Sequence, residues 1–362
     1  MEELRIPGPT PCPPEILKAM TKQMINHRGE EFAGILNGVT DKLKQIFQTK
    51  NDVFLLTASG TGGLEAAVVN TLSPGDRVLS VSNGVFAERF ANIAQRFGAE
   101  VTFLRFDWGK GADADAVRKA LQTEPKIKAV LVTHNESSTG VTNNLAAISS
   151  VVKESGKLLL VDAISSLGAI NLPVDDWHCD VVVTASQKAW MIPPGLTMVS
   201  VSQEAWQAHA SARMPRLYWD FAQAKSYLER GQTPWTPAIS TVFALSVSLE
   251  MMLKEGLPNI VARHARVGKA ARKGIKSVGL SLFAEEDYAS NTVTAVSSSD
   301  GLDTKKLLRI LREERHIVLS GGQQKLDGKI FRIGHLGWVT EDNIETVISA
   351  LKVVLPQAGF RG

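Results

Sequence analysis

The chain reads as an α/β protein: a seven-stranded, mostly parallel sheet in a large domain, followed by a small α+β C-terminal domain. Three observations predict this. Short β-branched runs alternate with helical patterns from Asp52 onward, two of those runs stop at a single charged residue, and the last hundred residues mix short strands with helices.

The runs are Val53–Ser59, Arg77–Asn83, Glu100–Phe106, Ala129–Asn135, Leu158–Ile164, Val181–Ser186 and Leu196–Ser202. Helices are expected between them at Leu64–Leu72, Phe86–Phe97, Asp113–Leu121 and Leu145–Ser155, where apolar residues recur at helical spacing. Pro193-Pro194-Gly195 is too short for a parallel crossover, so the seventh strand is expected to run antiparallel. Ahead of the sheet, Pro7-Gly-Pro-Thr-Pro-Cys-Pro-Pro14 can be neither helix nor central strand and is expected as an extended arm lying against other parts of the protein. A helix is expected from Pro13-Pro14-Glu15 with Ile16, Leu17, Met20 and Met24 as its apolar stripe, and a second over about Glu31–Gln48.

Beyond the sheet, Gln203–Glu255 is mostly helical and irregular, interrupted by Gln232-Thr-Pro-Trp-Thr-Pro237 and ending in a long helix over Ser240–Leu253. Then come a helix at Asn259–Val278, a strand at Thr292–Ser298, a helix at Thr304–Arg315, strands at Ile317–Ser320 and Lys329–Gly334, and a helix at Asp342–Leu355. The domain division that follows is an arm at 1–20, a large domain at 21–255 and a small domain at 256–362.

The bulk properties exclude several classes. With 362 residues, 44% of them hydrophobic, the chain can bury a substantial core. A net charge of +3 gives no nucleic-acid footprint, and Lys269-Ala-Ala-Arg-Lys-Gly-Ile-Lys276 reads as a solvated helix face. Cys12 and Cys179 lack the paired spacing of a metal site, so no metal is expected. Apolar runs are too short to cross a membrane and the start is too charged for a signal peptide, which points to a cytoplasmic protein.

The chemistry rests on three places. Ser59-Gly-Thr-Gly-Gly-Leu-Glu65 lies between a strand and a helix, where free amides and the helix dipole suit a phosphate. It lacks the Gly-Lys-Ser/Thr of a Walker loop, and the next strand ends in Ser82-Asn83 rather than the acidic residue of a dinucleotide site. The fifth run delivers Asp162 and the sixth delivers Lys188 just past its end. A phosphate cradle, a strand-end Asp and a strand-end Lys are what pyridoxal 5'-phosphate needs: the lysine forms a Schiff base with the aldehyde and the aspartate keeps the ring nitrogen protonated. Phe86 is the candidate to stack on the ring.

Seven segments in this order resemble the class V branch of fold type I pyridoxal-phosphate aminotransferases, specifically the alanine–glyoxylate and serine–glyoxylate (serine–pyruvate) group. They are Pro7-Gly-Pro-Thr-Pro, Ser59-Gly-Thr-Gly, Asn83-Gly-Val-Phe86, Thr133-His-Asn-Glu-Ser-Ser-Thr-Gly140, Val161-Asp-Ala-Ile-Ser-Ser166, Ser186-Gln-Lys188 and Phe331-Arg-Ile-Gly-His-Leu-Gly337. The resemblance implies that Ser59, Gly60, Thr61 and Gln187 hold the phosphate, that Ser137 bonds near the ring hydroxyl or Asp162, and that Ile164 packs on the ring face opposite Phe86. It implies that Arg332 takes the substrate carboxylate, with Gly8 of the arm beside it. Thr233 and Thr236 match a loop that reaches the neighbouring subunit's phosphate, which implies a homodimer with shared active sites. The tyrosine of that loop is not recognisable, and Gln232 or Trp235 stands in its region.

The resulting expectation is an aminotransferase exchanging the amino group of alanine or serine with glyoxylate or pyruvate. The alternative is a 2-aminoethylphosphonate-type transaminase or another class V enzyme; a phosphonate needs extra cations, for which Arg28 and Arg105 are the residues to watch. A cysteine desulfurase is disfavoured because Cys179 starts a buried strand, and a non-catalytic binding protein is disfavoured by the intact Lys188, Asp162 and Arg332. His134 and His335 are expected to hydrogen-bond within the site's walls, and Ser320-Gly-Gly-Gln323 to flank its mouth.

Overall fold

The structure is a computed structural model, described over residues 2–361. Its centre is a seven-stranded sheet in the order Asp52–Leu56, Thr197–Val201, Val181–Ala185, Leu158–Asp162, Ile127–Thr133, Arg77–Ser82, Glu100–Arg105. The five strands from Val181–Ala185 outward are mutually parallel. Thr197–Val201 runs antiparallel to both its neighbours, as the tight turn before it requires. The five inner strands are apolar at their centres and buried on both faces, the pattern of a sheet covered by helices on each side, while the edge strand Glu100–Arg105 is only half-buried.

Two apolar cores flank this sheet. One gathers Phe32, Leu36 and Phe47 of the helix Glu30–Phe47 with Leu245 and Leu249 of the helix Ile239–Glu255, around Trp190. The other lies under the helices Gly60–Thr71 and Val85–Arg96. A third core joins the helix Leu257–Ser277, the helix Glu341–Val354 and a three-stranded antiparallel sheet of Val293–Ser297, Ile330–Gly334 and Ser320–Gly321. Among the described residues no helix is long and apolar enough to cross a membrane.

Three expectations need correction. The first helix spans only Pro14–Ala19, so it buries Ile16 and Ala19 while Leu17 (50%) and Met24 (53%) are exposed; six residues make too few turns for the longer stripe. The helix expected at Leu64 starts four residues earlier, at Gly60, because the glycine-rich turn itself is helical. The run Ile317–Ser320 divides: Ile317–Val318 pairs in parallel with Glu3–Leu4 of the arm, and Ser320–Gly321 pairs with Phe331 and Arg332. The arm therefore extends the C-terminal part of the fold. Arg5 O also accepts from Gly334 N at 2.8 Å.

Trp190, fully buried two residues past Lys188, donates from Nε1 to Thr184 Oγ1 at 2.9 Å and sits 6.1 Å from the Phe47 ring. Trp190→Ala opens a large void and leaves that hydroxyl short of a partner, so it should cost about 3–5 kcal/mol in chemical denaturation. A loss below about 1 kcal/mol would mean that this core collapses around the gap.

Candidate active site

The C-terminal ends of the parallel strands converge on one cavity of about 320 Å³, the usual place for a ligand in an open α/β sheet. Gly8, Ser59, Gly60, Thr61, Phe86, Ser137, Asp162, Ile164, Gln187 and Lys188 all line it, so ten of the residues singled out from the sequence meet at one place. Cavity lining also includes Leu64, Arg89, Asn135, Ser165 and Gln323.

Gly60–Thr71 begins at Ser59, whose hydroxyl makes no capping bond. Gly62 N and Gly63 N turn back to Ser59 O at 3.0 and 3.4 Å, while the amides of Gly60 and Thr61 find no acceptor among the described residues. Unpaired amides on a helix N-terminus at a cavity wall make an anion site. Gln187 stands beside them at the cavity wall with its side-chain oxygen unpartnered, and the N–H₂ end of that amide is the donor it could offer an anion. These unmet groups fit a phosphorylated cofactor.

Lys188 and Asp162 face the same space from neighbouring strand ends and are both buried. They do not satisfy each other: Lys188 Nζ donates to Pro7 O at 2.6 Å, and Asp162 Oδ1 accepts from Ile164 N at 3.0 Å. Desolvation is the leading effect on both. It pushes the lysine down to about 8 against the opposing pull of Asp162, and it pushes the aspartate up to about 7 against the Ile164 amide. A cation placed beside Asp162 would favour its charged form.

The arm closes over the lysine. Thr10 N donates to Gln187 O at 3.1 Å and Thr10 Oγ1 to Lys188 O at 2.9 Å. Gly8 has φ +135°, and a Cβ there would lie 2.7 Å from Lys188 Cδ, so only glycine fits this crossing.

Arg332 is buried just behind this wall, and its fork is not free. Nε and Nη2 donate to Gly321 O at 3.0 and 2.8 Å, Nη1 donates to Ser137 O at 3.0 Å, and a longer 3.4 Å contact joins Nη1 to Gln323 Oε1. Burial pushes its guanidinium down to about 10, with Glu136 favouring the charged form. One Nη2 hydrogen and the weakly held Gln323 position are what a carboxylate could use, because main-chain carbonyls already brace the rest of the guanidinium.

Thr233 and Thr236 do not line their own chain's cavity. Thr233 Oγ1 donates to Trp235 O at 2.7 Å, and the 232–234 segment is held by Arg28 through Gln232 Oε1, Thr233 O and Pro234 O. Arg28 is thus committed elsewhere, and Arg105 lies over the Phe103 ring; neither lines the cavity. Arg89 does, 4.8 Å above the Phe86 ring and with no acidic partner among the described residues. Its position three residues after Phe86 on one helix was the available signal. His335 bonds Thr294 Oγ1 at 2.8 Å and Asn291 O at 3.1 Å, whereas His134 Nδ1 stays unpartnered, edge-on to Trp177.

Free Lys188 amine should react with a simple aldehyde, trapped by cyanoborohydride, at a rate rising with pH to a midpoint near 8. Protonation removes the nucleophile, so the rate falls below that pH; a midpoint at the ordinary 10.5 would mean a solvated lysine.

Comparison with known proteins places this geometry. The family described as "Aminotransferase class-V" matches residues 4–332. The soluble hydrogenase 42 kDa subunit of Anabaena cylindrica is 46% identical over 98% of this chain and 94% of that protein. The L-aspartate–glyoxylate aminotransferase of Paracoccus denitrificans is 37% identical over 98% of this chain and 91% of its own length. The crystal structure of an alanine–glyoxylate aminotransferase from Nostoc superimposes with a TM-score of 0.94, 31% identity, and coverage of 98% of this chain and 95% of that one. With the family match running from the arm to Arg332, the chain belongs to the class V aminotransferases, a pyridoxal-phosphate-dependent family.

Proposed function

We propose that the protein moves the amino group of a small amino acid, alanine or serine, to a 2-oxo acid of the size of glyoxylate or pyruvate, with pyridoxal 5'-phosphate bound through Lys188. The observation that carries this is the convergence of Lys188, Asp162 and the unpaired Gly60 and Thr61 amides on one cavity. When bound, the cofactor supplies an electron sink for the bond broken at the substrate α-carbon.

The chain's own groups do the rest. Ser59, Gly60, Thr61 and Gln187 would hold the phosphate, Phe86 and Ile164 would flank the ring, and Ser137 would lie near its hydroxyl edge, all of them lining the one cavity. Asp162 holds the proton on the ring nitrogen. Arg332 orients the α-carboxylate, which displaces Gln323, and Gly8 leaves room for it. Lys188, with its depressed proton affinity, takes the α-proton as a base and returns it as an acid. Its link to Pro7 O parks the amine between these tasks.

We infer a homodimer in which Thr233 and Thr236 serve the partner's phosphate. The support is that the 232–237 loop lies off its own cavity while Tyr218 beside it is exposed and stacks on Trp235, ring centroids 5.8 Å apart. A monomer by sedimentation that still turns over would contradict this.

Arg89 favours a second donor class. Arg89 makes no ion pair among the described residues, so a donor with a side-chain carboxylate would find a partner there. The test is a panel of amino acids scored by bleaching of the cofactor's visible band, then of oxo acids scored by its return. Alanine or serine should bleach it and glyoxylate or pyruvate restore it; a response to 2-aminoethylphosphonate alone would overturn the reading. Arg332→Ala should raise KM for every donor by about 10–100-fold, the worth of one or two charged hydrogen bonds. Arg89→Ala should raise it only for dicarboxylic donors.

A further inference from the structure

Glu136 is fully buried and has no part in the chemistry proposed above. The helix Val85–Arg96 starts after Gly84, which carries no side chain to cap it. Its first amides must find acceptors elsewhere, because no preceding turn exists to supply them. The turn at 136–138 supplies all three. Val85 N donates to Ser138 Oγ at 3.0 Å, and Phe86 N and Ala87 N both donate to Glu136 Oε2 at 3.0 Å. Glu136 Oε1 accepts from Ser138 N at 3.1 Å and from Ser138 Oγ at 2.6 Å.

Three of the four bonds to Glu136 come from amides that can only donate, so a proton on the carboxyl could be accepted by Ser138 Oγ alone, at the cost of that hydroxyl's own bond. Burial pushes its proton affinity up, and these same bonds oppose that push. An ionised carboxylate on a helix N-terminus is also the favourable sign for the helix dipole. The fit is close: a Cβ on Gly84 would lie 2.3 Å from Glu136 Cγ. Ser137, between the two capping residues, lines the cavity and gives its carbonyl to Arg332 Nη1.

We propose that Glu136 is a positioning residue for the cofactor ring: by capping from outside the helix that begins at Val85, it holds Phe86 at the cavity wall and ties that wall to the turn that braces Arg332. This rests on the reading that pyridoxal phosphate occupies the cavity with Phe86 on its face. Four residues of one turn then set two walls of the site at once. Asn135 fixes that turn's near end, donating to Ser165 Oγ at 2.8 Å and Thr292 Oγ1 at 3.0 Å.

The test is a double-mutant cycle on cofactor affinity. Wild type, Glu136→Gln, Phe86→Ala and the double variant are stripped and titrated with pyridoxal phosphate, following the visible absorption and its induced circular dichroism. Gln keeps the shape but turns an N–H₂ group toward one pair of donors, so Glu136→Gln should weaken binding about tenfold and reduce the dichroism. Phe86→Ala should also cost about tenfold through the lost ring contact. If Glu136 acts through Phe86, the double variant should bind within about threefold of Phe86→Ala alone.

Additive losses, about a hundredfold in the double variant, would overturn the proposal, as would unchanged affinity and dichroism in Glu136→Gln. Should Glu136→Gln not fold, Ser138→Ala, which keeps the carboxylate and frees Val85 N, replaces it in the same cycle; about a threefold loss is expected in the single variant and none beyond Phe86→Ala in the double, and a further threefold loss in the double would overturn the proposal. Wild type that fails to bind the cofactor at all would instead strike the functional reading beneath.

Discussion

Moving an ammonium group out of water costs several kcal/mol unless something replaces the solvent. Lys188 is buried with one main-chain carbonyl at its Nζ, and the rest of the site follows from that cost. Its natural counterion, Asp162, is buried too and is turned to a backbone amide. Desolvation outweighs their mutual attraction in both, pushing the lysine down and the aspartate up. Two opposite groups held apart in this way leave between them the space and the unmet charge that a cationic ring with an aldehyde would satisfy. The arm, tied down by Thr10 to the carbonyls of Gln187 and Lys188, covers the lysine from outside the sheet.

The parts legible in the sequence are those written in adjacent residues. β-branched runs ending in Asp162 and Lys188 marked strand ends, and seven runs corresponded to seven strands with the last one antiparallel. The glycine-rich turn was legible as a strand-to-helix junction, though its helix starts at Gly60 rather than Leu64. What could not be read are contacts between distant segments. Pro7 on Lys188, Ser137 and Gly321 on Arg332, and Glu136 on Phe86 each join positions whose relation only the fold creates. The first helix was overextended because periodicity alone cannot see that the chain turns away after Ala19.

The two arginines divide the substrate question. Arg332 is rigid, with three of its donors spent on carbonyls and a fourth held loosely by Gln323, so in the proposed reaction a carboxylate would have to displace Gln323 rather than enter an empty fork. Such preorganisation limits the ordering cost on binding. Arg89 is exposed at the mouth and rests on Phe86, so its charge reaches the cavity while its side chain keeps freedom to adapt. On the proposed function, a small neutral donor would use the first alone, and a dicarboxylic one would engage both.

The central claim is that Lys188 is the residue that holds the cofactor. Borohydride reduction of the pyridoxal-phosphate-loaded protein, followed by peptide mass mapping, addresses it directly. The account predicts one phosphopyridoxyl group per chain, on the peptide containing Ser186-Gln-Lys188. Labelling spread over exposed lysines, or absent from that peptide, would contradict it.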